Sequence, residues 1–126
     1  MTDLPPLELG YPRTELRRQL VDAVLDGRKT ATTGLWADYV AEGAAVDSPG
    51  DRCVLLGYDD EPVAVLEITE ARLVSAAEID EQFARDEGEG FESIEDWRLA
   101  HEQAFEQPVS PDTRVVAVRF RVVERI

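Results

Sequence analysis

The run from Val63 to Val74 is a strand pattern, and it obliges the chain to build a sheet around it. Val63, Val65, Glu67 and Thr69 fall on one side of it, and Ala64, Leu66, Ile68 and Glu70 on the other. Ser48-Pro49-Gly50-Asp51 reads as a turn that delivers the chain into an apolar strand from Arg52 to Tyr58. Asp59-Asp60-Glu61-Pro62 then reads as the hairpin connection to the long strand. A later segment, Arg114 to Val123, sets Val116, Val118, Phe120 and Val122 against Ala117, Arg119 and Arg121, the pattern of a half-buried strand.

Helical patterns lie between and before these strands. Leu16, Leu20, Val21, Val24 and Leu25 recur at three- and four-residue spacing over Thr14 to Asp26, with Arg17, Arg18, Asp22 and Asp26 between them. Thr14 is the expected N-cap and Gly27 the expected left-handed stop. Leu35 to Glu42 reads as a short helix or loop carrying Trp36 and Tyr39. A helical region is expected from Ala76 through Ile79 and Phe83, ended by the glycines of Glu87-Gly88-Glu89-Gly90. Ser93 and Asp96 then resemble a capping box for a helix whose face is Ile94, Trp97, His101, Ala104 and Phe105, with Pro108 and Pro111 closing the element. The plan is α+β: a small antiparallel or mixed sheet with helices at its margins.

At 126 residues and 44% hydrophobic, the chain is expected to fold as one domain with one core, needing neither disulfide nor structural metal. The formal charge of −14 opposes diffuse attraction to phosphate backbones or anionic lipid, so extended nonspecific nucleic-acid binding is not expected. The opening Met1-Thr2-Asp3-Leu4-Pro5-Pro6 has neither a basic stretch nor an apolar run, and a cytoplasmic protein without a membrane anchor is expected. Cys53 and His101 are the single cysteine and histidine, which excludes an intrachain disulfide and a Cys/His zinc set. No metal or cofactor is expected.

Chemistry concentrates at Gly27-Arg28-Lys29-Thr30-Ala31-Thr32, because Lys29 is the only lysine among 13 basic residues. Arginine stays protonated, whereas a desolvated lysine can give up its proton and serve as a base. Residues three apart point to opposite faces of a straight strand, so Lys29 and Thr32 can cooperate only where the segment bends. Trp36, Tyr39 and Trp97 are candidate stacking surfaces as well as core residues, and His101 is read as a hydrogen-bonded packing residue. Arg28 and Arg52 are candidate phosphate clamps, Arg119 and Arg121 possible anion contacts, and Thr30 a further hydroxyl beside the lysine.

Gly27 to Thr32, the Pro49-Gly50-Asp51 turn, the Val63 to Thr69 strand, the Glu87 to Gly90 segment with Trp97 and His101, and the Val115 to Val123 strand resemble, in that order, the ASCH-domain superfamily. The resemblance is closest to its single-domain YhfF-like branch, and it covers nearly the whole chain from about Leu7. It implies a single ASCH domain over residues 1–126, with a PUA-like fold: a small β-barrel flanked by helices, with a cleft lined by the Gly-Lys-Thr segment. It also implies a nucleoside- or nucleotide-like ligand. Some small members are amide hydrolases of N4-acylated cytosine nucleosides, and their catalytic lysine, threonine and glutamate fall on Lys29, Thr32 and Glu87, with Glu89 the alternative acid. In that scheme Thr32 is the nucleophile and Lys29 its base. RNA binding or ribonuclease activity with a short RNA in the same cleft, and noncatalytic ligand sensing, are the other functions the resemblance carries. The chain departs from many relatives in the last strand, where Val118 stands near the position of an acidic residue.

Overall fold

The computed structural model describes residues 4–126; Met1, Thr2 and Asp3, which open the segment read above for a leader, lie outside the described residues. Five strands form one mixed sheet in the order β1-β3-β4-β5-β2. They are β1 (Pro6–Leu7), β2 (Ala31–Leu35), β3 (Arg52–Leu56), β4 (Pro62–Ser75) and β5 (Arg114–Arg125). The short β1 runs parallel to β3, and every other neighbouring pair is antiparallel. Four helices accompany the sheet: α1 (Glu15–Leu25), α2 (Trp36–Glu42), α3 (Glu81–Asp86) and α4 (Ile94–Phe105).

The sheet is α+β as expected, but it is open rather than a closed barrel, since the edge strands β1 and β2 do not pair with each other. Residues of both edges nevertheless line one cavity of about 640 Å³, over Ile68, Val118 and Phe120 from the strands between them. The sheet is therefore bent into a trough.

Local signals account for the helix ends. Thr14 Oγ1 accepts the Arg17 amide at 3.2 Å, and Gly27 takes φ +88° directly after α1. Ser93 Oγ accepts the Asp96 amide at 3.1 Å at the start of α4, while the Asp96 carboxylate takes the amide of Glu92. The region from Ala76 is not one helix. A single 3-10 turn covers Ala76–Glu78, Ile79 is extended, and α3 starts afresh from Asp80, whose carboxylate accepts the Phe83 amide at 2.8 Å. Ile79 and Phe83 are both buried, so the four-residue spacing reported a shared burial rather than a shared helix.

Two apolar clusters occupy the two faces of the sheet. Val21 and Val24 of α1 pack with Leu55, Leu66, Ile68, Val116, Val118 and Phe120, whereas Phe83, Ala84 and Trp97 pack with Ala31, Val115 and Ala117. Val115, Val116, Ala117 and Val118 are consequently all buried, and β5 is half-buried only in its later part. The two-sided pattern read for β4 is also broken by register shifts at Val65/Leu66 and Ile68/Glu70, which leave Ala64, Val65 and Leu66 buried in succession.

Arg17 is a further departure, for it lies on the buried side of α1 at 1% exposure. Its guanidinium donates to the Gly10 carbonyl at 2.8 Å and pairs with Asp60, tying the segment before α1 to the β3–β4 hairpin. Among the described residues no helix is long and apolar enough to cross a membrane.

Candidate functional site

The segment Arg28 to Thr30 is threaded between three elements. The Lys29 amide donates to Ala23 O of α1 at 2.9 Å, the Thr30 amide to Asp86 O of α3 at 2.8 Å, and the Phe120 amide of β5 to Thr30 O at 3.1 Å. β2 begins only at Ala31, so Lys29 and Thr32 do not share a straight strand, and both line one cavity of about 210 Å³. Gly88 presses on this segment from the α3–α4 loop with φ +70°; a Cβ there would stand 2.5 Å from Arg28 O and 2.6 Å from Lys29 N. Only glycine meets both demands.

Lys29 is 1% exposed, and its ammonium is surrounded by acceptors. Nζ donates to Ala31 O at 2.9 Å, Glu87 O at 3.2 Å and Glu89 Oε2 at 3.2 Å, with Glu87 Oε1 at 3.5 Å. Three acceptors for three protons satisfy a buried cation.

Glu87 is as buried as Lys29, and its oxygens are fully engaged. Oε2 accepts from Thr33 Oγ1 at 2.8 Å and Trp97 Nε1 at 2.6 Å, while Oε1 faces Lys29 and lies 3.4 Å from His101 Nε2. The second His101 nitrogen, Nδ1, donates to Trp97 O at 2.7 Å, and the ring stacks on the Trp97 indole at 4.4 Å between centroids. Both ring nitrogens thus face acceptors, the arrangement that suits an imidazolium. Burial opposes charge on Glu87 and on His101 alike, but their mutual contact, joined by Lys29 and Thr33 on the glutamate, outweighs it. The carboxyl is held below its ordinary range and the imidazole above its own.

These opposite shifts give stability a two-sided pH dependence. The depressed Glu87 contributes above its unfolded value of about 4.5, and that contribution is lost as pH falls through the folded value. The raised His101 contributes below about 6.5, and its share is lost as pH rises through the folded value. Urea midpoints measured across this range should therefore fall on both the acid and the alkaline side. His101→Gln should abolish the alkaline fall and keep the acid one; an unchanged alkaline limb would refute the pairing.

The other residues singled out in the sequence separate into groups. Glu89 stays 26% exposed at the cavity, whereas the enclosed Glu87 positions Lys29, Thr33 and Trp97. Arg28 is exposed and turned to Asp26 at 2.8 Å, beside a groove that shares Leu16, Leu20 and Glu89 with the Lys29 cavity. Thr30 is exposed and directs its hydroxyl to Asp86 O at 3.5 Å. Trp36 stacks on Tyr39 and packs against the core. Tyr39 and Arg52 line the trough, where Arg52 pairs with Glu67 at 3.2 Å. Arg119 is held by Asp86 at 2.7 Å and Arg121 by Glu67 at 3.2 Å, leaving neither as a free anion contact. Trp97 is buried at 1% exposure, its ring covered and its N–H committed to Glu87.

Two contributors escaped the sequence reading. Thr33, rather than Thr32, supplies the hydroxyl bound to Glu87, and Glu8, Leu9 and Gly10 close the cavity from the segment before α1. Val118 lies opposite Thr32 in the β2–β5 register, so the position near the relatives' acid faces the trough as an apolar group. Among the described residues no three Asp, Glu, His or Cys side chains are placed to hold a metal ion.

The family model of the ASCH domain matches residues 9–124. The chain belongs to the ASCH-domain family. Its fold is accordingly PUA-like, and solved structures agree. An ASCH domain from Lactobacillus crispatus superposes with a TM-score of 0.81 at 25% identity, covering 95% of this chain and 79% of that one. A protein of Enterococcus faecalis gives 0.82 at 23% identity, covering 96% and 77% respectively. A hypothetical protein is more distant, at 0.63 and 18%, covering 86% of this ASCH domain and 94% of its own chain. Among curated proteins none matches.

Proposed function

We propose that this ASCH domain binds a small, uncharged, nucleoside-like amide beside Lys29 and hydrolyses it, with Thr32 as nucleophile and Lys29 as the proton carrier. The observation that carries this reading is a buried ammonium 3.2 Å from a partly exposed carboxylate, Glu89, on the wall of a cavity that Thr32 also lines. A lysine is a base only as the neutral amine, so this reaction requires that Lys29 has given a proton to a carboxylate neighbour such as Glu89, 3.2 Å away, before attack.

The freed amine then accepts the Thr32 hydroxyl proton as Oγ attacks the amide carbonyl carbon. The carbon–nitrogen bond breaks, and Lys29 returns the proton to the departing nitrogen. Water next attacks the threonyl ester with Lys29 accepting its proton; the ester bond breaks, Thr32 regains its hydroxyl, and the carboxylic acid leaves. Glu87 fixes the amine in place throughout.

Charge supports a neutral ligand. Glu8, Glu87 and Glu89 line the cavity with Lys29 and His101, and the chain carries −14 overall. Phosphate contacts find little support there, because the nearby Arg28 and Arg119 are each engaged by an aspartate. Thr32→Val removes the hydroxyl at nearly constant shape and should lower turnover of N4-acetylcytidine by at least about a thousandfold. Ligand affinity should hardly respond to salt. Full turnover by Thr32→Val, or RNA binding that falls steeply with salt, would contradict the proposal.

A further inference from the structure

The chain has one lysine and one histidine, and both reach the same carboxylate oxygen. Glu87 Oε1 lies 3.5 Å from Lys29 Nζ and 3.4 Å from His101 Nε2. The other oxygen offers neither of them a second place, because Oε2 is taken by Thr33 Oγ1 at 2.8 Å and Trp97 Nε1 at 2.6 Å. We infer that His101 is a positioning residue for the Lys29 amine: when protonated it draws Glu87 Oε1 to itself, loosens the hold of that carboxylate on Lys29, and so eases transfer of the lysine proton to Glu89.

The ring is fixed where it can do this. Nδ1 faces Trp97 O at 2.7 Å, the imidazole stacks on the Trp97 indole at 4.4 Å, and Phe105 packs on it at 5.4 Å between centroids, which keeps Nε2 turned to Glu87. Lys29 and Glu87 are 1% exposed and His101 8%, so water screens their charges little and each group responds to a proton on the other.

Few charged groups share that surrounding. Glu87 and Glu89 come from the α3–α4 loop, Lys29 from the segment before β2 and Glu8 from the segment before α1, all on the wall of the cavity that His101 lines. On α4 itself Arg98 is engaged by Glu95 and Glu102. Burial opposes an imidazolium, but the bond and the charge of Glu87 outweigh it and hold His101 above the ordinary imidazole range. With His101 charged, Glu87 is matched by the imidazolium and Lys29 is left with Glu89 at 3.2 Å, the carboxylate that takes its proton in the proposed reaction. With His101 neutral, both carboxylates hold Lys29, and it gives up its proton least readily.

Such linkage is reciprocal: by the factor that a charged His101 lowers the proton affinity of Lys29, a charged Lys29 lowers that of His101. The consequence for turnover rests on the hydrolase reading, whereas the coupling of the two groups does not.

The test follows the imidazole and Lys29 Nζ resonances, each the single side-chain signal of its type, by NMR across the imidazole titration. In wild type the Lys29 signal should move with the His101 midpoint. Lys29→Met removes the competing cation and should raise that midpoint by at least about one pH unit, while Lys29→Arg keeps the charge and should leave it nearly unmoved. Turnover of N4-acetylcytidine by wild type should fall as pH rises through the same midpoint, and His101→Gln should turn over more slowly and without that fall. A wild-type Lys29 signal indifferent to the His101 midpoint overturns the inference, even where Lys29→Met does not fold; so does a midpoint that Lys29→Met leaves in place. Coupled signals in a wild type that hydrolyses nothing would uphold the control of the Lys29 proton by His101 and refute the hydrolase. Hydrolysis whose alkaline fall survives in His101→Gln would leave the hydrolase standing and overturn the inference.

Discussion

Replacing Glu87 with alanine is expected to destabilise the protein by about 3–5 kcal/mol, the cost of leaving a buried charge without its partner. The carboxylate is 1% exposed and holds Lys29, His101, Thr33 and Trp97 at once. Its removal strands an indole N–H and a hydroxyl besides the two cationic groups. Glu87→Gln preserves shape and an acceptor oxygen for Trp97 but not the charge, so it should fall between alanine and wild type. Urea unfolding measures both, with an unchanged slope required for the comparison. A loss below about 1 kcal/mol in the alanine variant would mean that the cluster tolerates an unpaired ammonium, contrary to its geometry.

Gly88→Ala is the second large effect. Its positive φ costs a non-glycine residue about 1–3 kcal/mol, and the new Cβ would overlap backbone atoms of Arg28 and Lys29 that have no rotamer by which to retreat. A total near 3 kcal/mol is expected, with displacement of Lys29 and loss of the proposed turnover. Gly90→Ala is the internal control: its φ of +86° carries similar strain, but nothing lies within 4 Å of the added methyl. It should cost only about 1 kcal/mol and keep the proposed turnover. Equal losses in the two variants would show that backbone strain alone, not the contact with the Lys29 segment, sets the cost.

What the sequence makes legible is what its residues decide locally. Thr14 and Gly27 bracket α1 because a hydroxyl cap and a left-handed stop act within a turn of the chain. The β3–β4 hairpin follows from its turn chemistry in the same way. Arg17 is misread because helical spacing marks it as a polar residue between apolar ones, while its partners at Gly10 and Asp60 lie outside the helix. β5 alternates in sequence yet is covered on both faces, since the helices behind it are invisible to a period-two pattern.

The site divides along the same line. Lys29 stands out by composition, and it lies outside β2, which starts at Ala31. Glu87 meets Lys29 across 58 residues of chain, and no spacing rule selects it over Glu89. Burial separates the two, with Glu87 enclosed as the anchor and Glu89 left at the opening. His101 was legible as hydrogen-bonded, but its contact with Glu87 depends on how α4 settles against the α3–α4 loop.

In the proposed reaction the Lys29 amine moves a proton for Thr32, a task a guanidinium cannot perform. Turnover of N4-acetylcytidine by wild type and by Lys29→Arg, with matching circular dichroism and comparable nucleoside affinity, tests it most directly. Wild type should hydrolyse the nucleoside, and the arginine variant should lose at least about a thousandfold in turnover. Comparable hydrolysis by the two proteins, or none by wild type, would contradict it.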